Sequence, residues 1–137
     1  MMDSFKREIF EQLGGLFYAI AKDQHVAPLE FGQLKMLLRN DWLEDLDQAA
    51  TGTVTEASHL IVLAMDTFQT EGASGEETFK AFTEFYSKYR KYFPEALKEK
   101  IMRAALAITD IFPSETRLKN NHIIKLRLLF ENSSLVV

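Results

Sequence analysis

Apolar residues recur at spacings of three and four along most of this 137-residue chain. Near its start, five of them fall on one helical stripe: Phe5, Ile9, Leu13, Phe17 and Ile20. No stretch of useful length alternates apolar and polar residues with the period of two that a strand requires. The pattern therefore predicts an all-α protein, and the length suits a single domain spanning residues 1–137.

Helix-start signals divide the chain into about seven helices. Each of the three prolines has a Glu within the next two residues, which suits a first helical turn because proline lacks an N–H and the carboxylate complements the helix dipole. Capping-box patterns add further starts at Asp41-x-x-Glu44, Thr53-x-x-Glu56 and Ser74-x-x-Glu77. The predicted helices are 4–21, 28–40, 41–50, 54–71, 75–92, 94–111 and 114–131.

Two helices have features that predict how they pack. The helix 54–71 is apolar on several sides, so we expect it at the centre of the bundle. The helix 4–21 contains Gly14 and Gly15, each of which costs about 1 kcal/mol relative to alanine inside a helix. We expect a crossing helix to approach closely there and offset this cost.

Segment 75–92 and its flank carry a stripe of aromatic rings with basic residues between them. The rings are Phe79, Phe82, Tyr86, Tyr89 and Phe93, and the basic residues are Lys80, Lys88, Arg90 and Lys91. Aromatic rings flanked by basic side chains can stack on nucleic-acid bases. The helical spacing favours a different arrangement, in which the rings face the core and the basic side chains lie in solvent beside them. The remaining tyrosines would also suit the rim of a protein interface.

Composition narrows the class of protein. Apolar residues make up 47% and charged residues 26%, as in globular proteins, and the net charge of −4 argues against a nucleic-acid partner. The chain has no cysteine, which excludes thiol catalysis, thiolate metal sites and disulfides. The longest apolar run, residues 60–65, is far shorter than the ~20 residues that span a bilayer, and the first residues lack a signal-peptide pattern. We expect a cytoplasmic protein without integral membrane contact.

The sequence has no familiar catalytic motif. Nucleophile-elbow and glycine-rich phosphate-binding patterns are absent from it. Glu56-x-x-His59 is the unit that di-iron helical bundles use twice, but neither His25 nor His122 has a Glu three residues before it. A di-iron centre is therefore disfavoured, and we expect His59 to be a partly buried, hydrogen-bonded histidine.

Two segments of the chain resemble each other and suggest two related halves, near 5–40 and 94–131. In the first, an alanine-rich run ends at Asp23 and a proline turn leads to Glu30. In the second, a similar run ends at Asp110 and a proline turn follows. Carboxylates at a helix–helix corner are ligands that Ca²⁺ or Mg²⁺ prefers, so Asp23, Glu30 and Asp110 are candidate metal ligands. Ordinary helix capping explains the same residues without a metal.

The first corner, residues 16–31, resembles the signature of the TerB-like (tellurite-resistance protein B) family. That signature runs roughly Ala-x-x-Asp-Gly-x-φ-x-x-x-Glu, where φ is apolar, and Asp23, Val26 and Glu30 match it here. The resemblance implies a compact domain of about seven helices with pseudo-repeated halves and acidic corners suspected of binding divalent metal. It also implies a link to stress-response and membrane-associated assemblies rather than to a defined reaction.

The chain departs from the family pattern in both copies. Gln24 replaces the glycine of the first copy. In the second copy Ile111 stands at the glycine position and Arg117 at the position of the acidic ligand. A basic residue there opposes cation binding at the second corner.

Three functional hypotheses follow. The first is a non-catalytic binding or scaffold domain that acts through protein contacts, with weak divalent-metal association. The second is a small enzyme that uses Asp23 and Glu30 with His25 or His59 as acid–base groups in an interhelical cleft. The third is a homo-oligomer, since the apolar residues 135–137 need a surface to pack against. A cleft that gathers the acid–base groups would favour the enzyme, and a broad exposed apolar patch would favour the binding domain.

Overall fold

The computed structural model describes residues 4–23, 54–111 and 121–135. These ranges contain five α-helices, one 3₁₀ helix and no strand, which confirms the all-α prediction for this part of the chain. The elements are α1 (Ser4–Asp23), α2 (Val54–Glu71), α3 (Gly75–Lys88), a 3₁₀ helix (Arg90–Tyr92), α4 (Glu95–Ile111) and α5 (Asn121–Leu135).

Three predicted helices agree closely with the structure. α2 covers the predicted range 54–71, and α4 begins at Glu95, one residue later than predicted. α1 continues two residues beyond its predicted end and finishes at Asp23. The capping and periodicity signals therefore placed these helices correctly.

Other parts of the prediction lie outside the described residues. These are the helices 28–40 and 41–50, and the first residues of the helix 114–131. The total of about seven helices and the two related halves stay predictions.

The predicted helix 75–92 is wrong at its end, because α3 stops at Lys88. The chain then tightens into the 3₁₀ helix, where the Tyr92 N–H donates to the Tyr89 carbonyl at 2.9 Å. A 3₁₀ turn advances fewer residues per turn than an α-helix. The tightening lets Phe93 enter the core with 3% exposure, while Tyr92 stays 46% exposed.

The aromatic stripe packs into the core, as its spacing predicts. All of its five rings except Tyr89 are buried. The Tyr86 ring lies 5.1 Å from that of Phe93 and 5.3 Å from that of Phe130 on α5, and Phe5 on α1 lies 4.9 Å from Tyr89. Such ring pairs contribute about 0.5–1.5 kcal/mol each beyond the area they bury.

The central helix of the described part is α1. It contacts each of the other four α-helices, and every residue from 13 to 21 is buried. Within the described residues α2 packs mainly on α1 and leaves Leu63 48% exposed, so the prediction that 54–71 lies at the centre of the bundle is not confirmed there. Leu60, Leu63 and Phe68 of α2 line a surface groove.

Gly14 allows α1 and α2 to approach each other closely, as the sequence predicts. A Cβ atom at this position would lie 2.6 Å from the Ala64 Cβ and 2.7 Å from the Ile61 carbonyl oxygen. At Gly15 the nearest atom would be Phe68 Cε2 at 3.3 Å, which belongs to a side chain that can move. Gly14 therefore sets the distance between the two helices.

The connection between α2 and α3 caps both the end of α2 and the start of α3. Gly72 has φ +67°, a conformation that suits glycine, and the Ala73 N–H donates to the Phe68 carbonyl at 3.0 Å to close the end of α2. The Ser74 hydroxyl then accepts from the Glu77 N–H at 3.4 Å, which confirms the predicted cap of α3.

α1 also fixes this connection. The Tyr18 hydroxyl donates to the Ala73 carbonyl at 2.7 Å, and the Lys22 ammonium donates to the same oxygen at 3.2 Å. The turn between α2 and α3 is therefore positioned by the central helix as well as by its own caps.

We expect Gly14→Ala to lower the free energy of unfolding by about 1–3 kcal/mol, because the added methyl group meets the α2 backbone and forces the helices apart. The gain in helix propensity of about 1 kcal/mol offsets only part of this cost. Urea unfolding followed by circular dichroism measures the difference. The matched control is Gly15→Ala, which should stay within about 1 kcal/mol of the wild type because the Phe68 ring can shift. Equal stabilities of the two variants would contradict the close approach.

Candidate functional site

The predicted metal corner falls largely outside the described residues. Asp23 is the last residue of α1, and Asp110 is the penultimate residue of α4. Their side chains, and Glu30 as a whole, lie outside the part of the chain that the structure describes. Within that part, no group of three or more metal-ligating side chains comes together.

Of the three histidines, one is exposed, one is buried and one lies outside the described residues. His59 is exposed on α2, so the expectation that it is partly buried is wrong: Leu60 and Ile61 take the buried positions of that turn. His122 is 3% exposed on α5, with its ring 4.8 Å from that of Phe79. His25 lies outside the described residues.

Two shallow grooves open on the described surface, each of about 260 Å³. One lies between α4 and α5 and has a floor that includes Met102 and Phe130. The other lies between α1 and α2, beside the exposed Leu63. His59 lines neither of them, and the other side chains that the enzyme hypothesis uses lie outside the described part of the chain.

An ion pair forms part of the lining of the α4–α5 groove. The Lys98 ammonium lies 2.7 Å from Glu95 Oε1, and the lysine side chain is only 10% exposed while that of Glu95 is 70% exposed. The two residues are three apart in the first turns of α4, where such pairs stabilise a helix. The sequence signal for this pair is the Glu-x-x-Lys that follows Pro94.

The most distinctive surface of the described part is the outer face of α5, defined here by Ile124 and Leu128. These side chains are one turn apart and are 47% and 52% exposed. Leu126 and Phe130 are buried, and each is two residues from Leu128. Residues two apart in a helix point to nearly opposite sides. α5 is therefore apolar both towards the core and towards the surface.

This arrangement is unusual for a helix with one face in solvent. An amphipathic helix normally presents polar side chains to solvent, and Ile124 and Leu128 instead form a small contiguous apolar patch on the exposed side of α5. The sequence signal for it is the presence of adjacent apolar pairs, Ile123-Ile124 and Leu128-Leu129, of which only one member can face the core. The periodicity of the sequence alone does not predict which member of each pair is exposed.

Charged side chains border this face. Arg127 and Glu131 are both exposed, are four residues apart, and therefore lie on the same flank of α5. Lys125 is exposed on the other flank. The outer face thus combines an apolar ridge with charges of both signs.

Comparison with known proteins finds no relative of this chain: no family model, no curated protein and no solved structure matches it. None of the helices in the described part is both long and apolar enough to cross a bilayer.

We expect Leu126→Ala to lower the free energy of unfolding by about 2–5 kcal/mol, because it opens a cavity in the core. Leu128→Ala, the same change two residues away, should alter the free energy of unfolding by no more than about 0.5 kcal/mol, because the side chain faces solvent. Urea unfolding of dilute protein compares the two variants. A large loss of stability in Leu128→Ala would show that this side chain packs within its own chain.

Proposed function

We propose that this chain is a non-catalytic helical binding domain that acts through protein contacts, with the outer face of α5 as its docking surface. The observation that carries the proposal is the exposure of Ile124 and Leu128 on a helix whose opposite side is already in the core. Burial of a large aliphatic side chain contributes about 1.5–3 kcal/mol when it is complete. A partner that covers both side chains would gain part of this free energy for each of them.

The shape of the described surface also supports a binding domain over an enzyme. Small-molecule sites are usually concave cavities of about 300–1,000 Å³ with convergent polar groups. The two grooves are smaller, and the exposed His59 lies in neither of them. The apolar ridge of α5 has instead the form of a helix that packs against another protein.

We further propose, from the resemblance to TerB-like domains, that a divalent cation such as Ca²⁺ or Mg²⁺ associates weakly at Asp23 and Glu30, with Asp110 at the second corner. Support comes from the ends of two helices: α1 ends at Asp23 and α4 ends one residue after Asp110. A carboxylate in the last turn of a helix opposes the helix dipole by about 0.3–1 kcal/mol, a cost that a bound cation would offset.

Photo-crosslinking tests the docking surface. We expect benzoylphenylalanine in place of Leu128 to give one dominant protein adduct in cells that express the full chain, identified by mass spectrometry. The same probe in place of Ser87, which is exposed on α3, is the matched control and should give no such adduct. Equal crosslinking from the two positions, or none from either, would overturn the proposal.

Thermal melting tests the metal proposal. We expect saturating Ca²⁺ or Mg²⁺ to raise the Tm of metal-free protein by several degrees, since a ligand at a hundred times its Kd adds about 2.7 kcal/mol. Asp23→Asn should remove this shift, whereas Asp66→Asn, a change to an exposed carboxylate on α2, should keep it. An unchanged Tm with both cations would leave Asp23 and Glu30 without a metal-binding role.

A further inference from the structure

We draw no further inference here: the strongest candidate, the apolar patch of Ile124 and Leu128 on α5 together with the adjoining α4–α5 groove, belongs to the docking surface already proposed, and nothing in the described part of the structure shows what covers it.

Discussion

The contact between α1 and α2 at Gly14 is the constraint on which the rest of the described structure depends. Without a side chain at this position, the backbone of α1 can approach the Ile61 carbonyl and the Ala64 methyl group. The turn that follows α2 is held by Tyr18 and Lys22 of α1 through the Ala73 carbonyl. α1 thus positions both its neighbour and the start of α3.

The central position of α1 also explains why α5 has an apolar outer face. α1 is already enclosed along residues 13–21, and α5 reaches it and α4 with one side only. That side is occupied by core residues such as Leu126 and Phe130. Ile124 and Leu128 therefore have no place in this core, and their exposure follows from the packing of α1. The exposed apolar side chains of α5 are therefore compatible with the same packing that stabilises the described core.

Local signals predicted most of the described helices because their causes are local. The cap at Ser74 and the glycine at position 14 act through their immediate neighbours, and both are confirmed. The position of α2, the exposure of His59 and the outer face of α5 depend on which helices become neighbours. Periodicity reports how many sides of a helix are apolar, but it does not report what each side meets. The acidic corner at Asp23 and Glu30 stays a prediction for a different reason, since those side chains lie outside the described residues.

The form of the α5 surface limits the kind of partner that fits it. A ridge of aliphatic side chains on a rigid helix has no concave pocket and cannot enclose a small molecule, whereas a second helix can pack along it over several turns. Its flanking charges then contribute more to orientation than to affinity, because exposed ion pairs are worth only about 0–1 kcal/mol each.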